Sequence, residues 1–319
     1  MSATVQAVLD AGGEAVSRLM AQAELRMAEL AAGHGPVLAR YAGETIAAGG
    51  KRLRPLLVYL AAGVPPPETD ALVRAAVAVE LVHGATLVHD DVLDGSDLRR
   101  GRPTVVATGG RWMATATGDL LFARAFAELA HVSVAAVRVL ARASTELARG
   151  ELMQRRDAWK AEVSVERYLA RCRLKTAVLF RAACELGALE SASRASLAPF
   201  GEGIGLAFQI LDDVLDVSGP PERTGKPRGA DLLDGTVTLP LIIARSRDPE
   251  LAALDLRTVR APDDAARVCE RIAATGAPGV ARGRAMDLVA EAKSTLPSLP
   301  GRQRSALELV ADGVVERYA

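Results

Sequence analysis

Two segments of this chain, ALVRAAVAVELVHGATLVHDDVLD (71–94) and LAPFGEGIGLAFQILDDVLD (197–216), are apolar on nearly every side and end in the same five residues. Helices that are apolar all round belong at the centre of a bundle. Each buried run therefore leads straight into three carboxylates: Asp90, Asp91 and Asp94 in one, Asp212, Asp213 and Asp216 in the other. Around them alanine is abundant, β-branched alternation is scarce and apolar residues recur at three and four, which predicts an all-α protein with no convincing strand. Glycine- and proline-rich stretches near 33–36, 48–50, 63–68, 95–104, 217–235 and 298–301 divide the chain into helices. The longest of them, VSGPPERTGKPRGADLLDG, follows the second acidic run, and irregular stretches of that length are usually functional. The flanks of DDVLD do not repeat with it, and no low-complexity linker parts the chain. Residues 1–319 are thus expected to form one domain with a duplicated function, not a tandem array.

Half of the residues are hydrophobic and 39 basic side chains balance 39 acidic ones, so there is material for a core and no global charge to draw nucleic acid or an anionic membrane. Cys172, Cys184 and Cys269 lack the spacing of a metal or redox motif and are expected as buried, reduced thiols. The N-terminal residues carry no signal-peptide pattern, and no stretch reaches the roughly 18 uncharged apolar residues of a membrane span. The expected location is the cytoplasm.

On a helix Asp90 and Asp94 lie one turn apart, as do Asp212 and Asp216, with Asp91 and Asp213 beside them. Each cluster is a one-sided set of hard oxygen donors. Magnesium suits it, because that ion keeps several waters and is commonly held by one or two carboxylates plus substrate phosphates. The alternate-position ligands and closing Glu of a calcium-binding EF-hand are missing. A solvated acidic helix end explains one such cluster. Two copies beside apolar helix, with no Lys or Arg one turn earlier, are hard to explain without a cation. Basic groups come in matching places. GGKRLRP at 49–55 puts Lys51 and Arg54 three apart, read as one helical face behind glycines, and Arg99 and Arg100 follow the first acidic run. Together they specify two diphosphates, one held through metal and one mainly by direct cations.

With GGKRLRP, ELVHGATLVHDDVLDGSDLRRGRPT, GDLLFARAF, KTAVLF, FQILDDVLD and GKPRGADLLDGTVTLPLI in this order, most of the chain resembles a trans-prenyl diphosphate synthase of the polyprenyl synthetase family. The resemblance implies a large helical bundle of the isoprenoid synthase type around a central active-site cavity, working as a homodimer. It also implies that the six aspartates act with magnesium on an allylic diphosphate, the metal resting on Asp90, Asp94 and Asp212. Arg99, Lys175 and Lys226 would hold that diphosphate, with Asp231 beside it. Lys51, Arg54, His83 and Arg100 would hold isopentenyl diphosphate, and Thr176 and Gln209 would line the reacting carbons. His34, His89 and His131 match no ligand position. One departure is Thr236, where many relatives carry a lysine.

The implied reaction is attack of the isopentenyl double bond on the allylic carbocation, helped by metal and cationic side chains at the departing diphosphate, with no protein nucleophile. A terpene cyclase shares the metal logic but needs no second diphosphate site, against which GGKRLRP counts. A catalytically silent partner subunit typically loses acidic residues, and here all six stand. Product length is read from the helix leading into the first DDVLD. A chain growing back from Asp90 passes Ala85 and Thr86 after one turn and Leu81 and Val82 after two, with no aromatic between 71 and 89. At about one turn per isoprene unit this predicts a product of roughly six or more units, with geranylgeranyl diphosphate as the alternative and Ala85→Phe as the shortening substitution.

Overall fold

The structure is a computed structural model describing residues 3–50, 52–99, 101–160, 162–191, 196–219 and 228–316. Helices α1 to α6 are Ala3–Gly12, Glu14–Ala32, Pro36–Ala47, Leu53–Ala62, Asp70–Asp94 and Val105–Ala130. Helices α7 to α10 follow as Val134–Asp157, Val165–Cys172, Val178–Leu189 and Ala198–Ser218, with a π turn, Arg173–Ala177, joining α8 to α9. Helices α11 to α16 are Ala230–Leu233, Leu239–Arg245, Pro249–Ala253, Pro262–Ala274, Ala277–Ser294 and Gly301–Glu316. Two two-residue strands, β1 (Leu98–Arg99) and β2 (Arg102–Pro103), pair antiparallel, where the sequence predicts none. They are too short for any alternation to register, and they form because Gly101, at φ 72, turns the chain back on itself. Contacts divide the chain into two compact units, Met1–Ser144 with Leu179–Gly201 and Thr295–Gly313, and Thr145–Val178 with Glu202–Ser294 and Val314–Ala319.

In the first unit α5 is the central helix, packed on α2, α3, α4 and α6. Thr69 caps it by accepting from the Leu72 N–H, and Leu72, Ala76, Val77, Val79, Leu81, Val82 and Ala85 are all buried. It is long and apolar enough to cross a bilayer once two charges are allowed, yet two thirds of that stretch is buried inside the protein, as a core helix would be. Glycine sets the approach to α6: a side chain at Gly118 would occupy the place of the His89 ring. Two buried glutamates fix the neighbours. Glu128 of α6 takes Arg26 of α2 at 2.7 Å and Arg74 of α5 at 3.1 Å, while Glu80 of α5 takes Arg52 at 3.0 Å.

The second unit is built around α12, which packs on α8, α14 and α15. Gly203 of α10 lies against Ala292 of α15, where a Cβ would collide. Helix breaks at 33–35, 48–52, 63–69, 95–104 and 295–300 fall where glycine and proline predict them. Those at 131–133 and 158–164 carry neither residue and were not legible. Within the long 217–235 stretch the structure adds the one-turn helix α11.

Candidate active site

The first DDVLD closes α5, whose C-cap Gly95 adopts the left-handed conformation at φ 62. Its three aspartates separate by depth: Asp91 is 4% exposed, Asp90 is half-buried and Asp94 is exposed. The β1–β2 ribbon brings Arg99 back over the helix end, where Nε and a terminal nitrogen both donate to Asp91 Oδ1 at 2.8 Å. Thr104 braces the ribbon, its Oγ1 donating to the Ser96 carbonyl at 2.6 Å while its oxygen caps α6. The cluster is thus neutralised from behind in sequence, by the arginine that follows it.

Arg54 lies at the start of α4, 9% exposed, with its guanidinium 4.6 Å over the Phe180 ring. The reading of Lys51 and Arg54 as one helical face falls partly outside the described residues, since Lys51 is not among them. Helix α4 begins only at Leu53, because Gly49 and Arg52 take left-handed backbone, at φ 69 and φ 48. Arg52, which no sequence pattern singles out, fixes that entry by donating to Glu24, Glu80 and the Ile46 carbonyl. His83 is half-buried and its carbonyl accepts from Thr86 Oγ1 at 2.8 Å. Lys51, Arg100 and Lys226 lie outside the described residues.

The second DDVLD, on α10, again buries its middle aspartate, while its outer two exchange depths relative to the first run. Asp213 is 3% exposed, Asp216 half-buried and Asp212 exposed. Here the buried carboxylate meets neutral donors: the Tyr168 hydroxyl donates to Oδ2 and Gln209 Nε2 to Oδ1, each at 2.7 Å. Thr176 Oγ1 in turn donates to Gln209 Oε1 at 2.5 Å. Burial, and then Asp231, push the Asp213 carboxyl above the usual range, against the pull of those hydrogen bonds and of Arg171. Asp216 accepts from the backbone N–H groups of Ala230 and Asp231, at 3.1 and 3.3 Å, and so caps α11. Lys175, on the π turn, is 2.5 Å from Glu151. Burial raises the Glu151 carboxyl, but Lys175 and Arg155 outweigh it and hold the group below its ordinary value. Thr236 is buried and donates to Asp234, which also lies 3.5 Å from Arg155.

Among the described residues no three carboxylate, imidazole or thiolate side chains converge as a ready-made metal cage. The donor set still fits magnesium. Asp90 and Asp94 in the first cluster, and Asp212 in the second, each offer accessible, hard oxygens, and this ion is commonly completed by water and substrate phosphate. The chain-length positions divide by helical phase. At about 100° per residue, Thr86 lies about 40° from Asp90 and Ala85 about 140° away. Burial agrees: His83, Thr86 and Leu87 are half-buried with Asp90, whereas Leu81, Val82 and Ala85 are packed away. Tyr168, Glu151 and Arg155 escaped the sequence reading, since none lies in an acidic or basic run that marks itself. Cys172, Cys184 and Cys269 are free and buried as expected.

An all-α chain with two helix-borne aspartate clusters and cationic groups beside them defines a class, the helical enzymes that act on diphosphate esters. Residues 36–275 match the family model for polyprenyl synthetase, and the chain belongs to that family. It is 44% identical over 226 residues to heptaprenyl diphosphate synthase component 2 of Geobacillus stearothermophilus, covering 69% of this chain and 70% of that one. Nonaprenyl diphosphate synthase of Mycobacterium tuberculosis is 36% identical over 283 residues, 85% of this chain and 84% of the other. Among solved structures, a polyprenyl synthase from Caulobacter crescentus, complexed with calcium and isoprenyl diphosphate, superposes with a TM-score of 0.91 at 36% identity, covering 97% of this chain and 98% of that one. The fold is therefore the all-α isoprenoid synthase fold, and the enzyme a polyprenyl diphosphate synthase.

Proposed function

We propose that this synthase is a magnesium-dependent prenyltransferase that extends an allylic diphosphate with isopentenyl diphosphate to a trans-polyprenyl diphosphate of roughly six or more isoprene units. The observation that carries it is common to the two DDVLD runs: in each the middle aspartate is buried and held by the protein, while Asp90 and Asp94 in the first and Asp212 in the second keep access to solvent. Asp90, Asp94 and Asp212 hold the metal. Bound there, magnesium neutralises charge on the departing diphosphate. Arg99, with N–H groups beyond those given to Asp91, binds the allylic diphosphate together with Lys175 and Lys226, and Asp231 lies beside it. Lys51, Arg54, His83 and Arg100 bind isopentenyl diphosphate by direct charge-assisted contacts. The allylic C–O bond breaks with its electron pair on the diphosphate, the terminal alkene carbon of isopentenyl diphosphate forms the new C–C bond, and the released diphosphate takes the proton. Thr176 and Gln209 line the reacting carbons.

The hepta- and nonaprenyl synthases among the relatives support a product longer than geranylgeranyl diphosphate, as does the lack of an aromatic side chain between 71 and 89. The test is turnover of the purified chain with isopentenyl diphosphate, magnesium and a panel of allylic primers, with products sized by mass. Products beyond geranylgeranyl diphosphate support the reading, and a product ending at farnesyl diphosphate contradicts it. Two relatives carry the name component 2, which favours a second reading, action with a dissimilar subunit instead of as a homodimer. Full turnover by the chain alone supports the homodimer. Inactivity alone, with diphosphate binding intact, supports the second.

A further inference from the structure

Tyr168 is fully buried on α8, and its hydroxyl reaches a carboxylate that is itself only 3% exposed. Both oxygens of Asp213 are engaged by the protein, Oδ2 by Tyr168 and Oδ1 by Gln209, so this carboxylate is pinned inward while Asp212 faces out. Gln209 and Asp213 are one turn apart on α10, as are Asp212 and Asp216, so a bond that fixes Asp213 also fixes the rotation of the helix end bearing the outer pair. From Gln209 the chain of hydrogen bonds continues to Thr176. That closure depends on the π turn. On a straight α-helix the eight residues from Tyr168 to Thr176 overshoot two full turns by about 80°, and the wider turn at Arg173–Ala177 takes up the excess, so both side chains reach α10. The Tyr168 ring is held from its other side by buried Arg171, 5.3 Å from its centroid and bonded to the Val237 carbonyl at 2.7 Å.

We propose that Tyr168 is a positioning residue: its hydroxyl locks Asp213, and through it Gln209, Thr176 and the outer aspartates of the second cluster, as one preset unit for a metal–diphosphate complex. This rests on the function proposed above. Tyr168→Phe keeps the ring against Arg171 and removes only the donor.

The experiment measures thermal stabilisation by magnesium with inorganic diphosphate, alongside steady-state kinetics. Tyr168→Phe should raise the magnesium midpoint about tenfold, the order expected for one lost hydrogen bond to a charged group. It should also raise KM for the allylic substrate while leaving KM for isopentenyl diphosphate unchanged. Asp213→Asn should raise the midpoint too, and the double variant should be no worse than Asp213→Asn alone, because the tyrosine acts through the carboxylate. Should Tyr168→Phe fail to fold, Thr176→Val probes the other end of the chain and should raise the same midpoint. An unchanged midpoint in the folded variants, or fully additive effects in the double variant, overturns the proposal. A wild-type protein that gains no stability from magnesium and diphosphate, and makes no product, overturns the functional reading itself.

Discussion

Asp91 and Asp213 hold the same place in the two DDVLD runs, yet one is answered by a guanidinium and the other by a phenol and an amide. The difference has consequences. Losing Arg99 removes an ion pair from a buried carboxylate, whereas losing the Tyr168 hydroxyl removes one neutral donor and still leaves Gln209. Arg99→Ala is expected to lower stability by about 3 kcal/mol, toward the lower bound for breaking a buried pair because Arg99 is itself partly exposed, and Tyr168→Phe by about 1.5 kcal/mol. Urea unfolding in EDTA checks the order, and equal losses would contradict it. The cysteines give a pH-dependent companion. Burial pushes the Cys184 thiol up to about 12, and Cys172 likewise, against about 8.5 for a free thiol. A raised thiol pKa stabilises the fold fully below the unfolded value and progressively less as pH climbs from about 8.5 toward about 12. No thiol should react with Ellman's reagent in the native protein at pH 8, all three should react in urea, and the urea midpoint should fall from pH 8 to 10.5. Rapid labelling of native protein would contradict the burial. At this scale the aspartates were legible because two matching clusters beside apolar helix are hard to explain as solvated helix ends. Arg52 and Tyr168 were not, because a lone arginine or tyrosine takes its role from the element packed against it.

Helix α5 carries the first aspartate cluster at one end and the residues proposed to set product length along its body, so its rotation decides which of them matter. The sequence singles out Ala85 by counting turns, but the helix face that carries Asp90 runs through Thr86 and His83, and Ala85 is completely buried on the other side. Thr86→Phe should therefore shorten the product with the fold intact. Ala85→Phe must first displace packed neighbours, which costs about 1–3 kcal/mol. Product mass and melting temperature read both outcomes, and shortening by Ala85→Phe alone would reverse the assignment. Most helix boundaries were legible from glycine and proline. The π turn at Arg173–Ala177 was not, since RLKTA reads as ordinary helix and the extra residue is set by its packing. The strand pair was equally hidden, because the turn at Gly101 makes it and not the strand residues.

For the whole molecule, the abundance of alanine and the three-four periodicity carried the all-α fold, and the pair of DDVLD runs carried the family. What the sequence could not reveal is how charge is distributed within that fold: which carboxylates face the protein, as Asp91, Asp213 and Asp216 do, and which remain for a ligand. Both clusters are proposed to serve a divalent ion in one condensation. The most direct measurement of that role is the rate of product formation from isopentenyl diphosphate and an allylic primer, in magnesium and in EDTA, for wild type, Asp90→Ala and Asp212→Ala with helicity checked by circular dichroism. No turnover is expected in EDTA, and a loss of about a hundredfold or more in each variant, the scale on which removing electrostatic stabilisation of a transition state acts. Wild-type turnover that persists in EDTA, or near-normal turnover in both variants, would contradict that role.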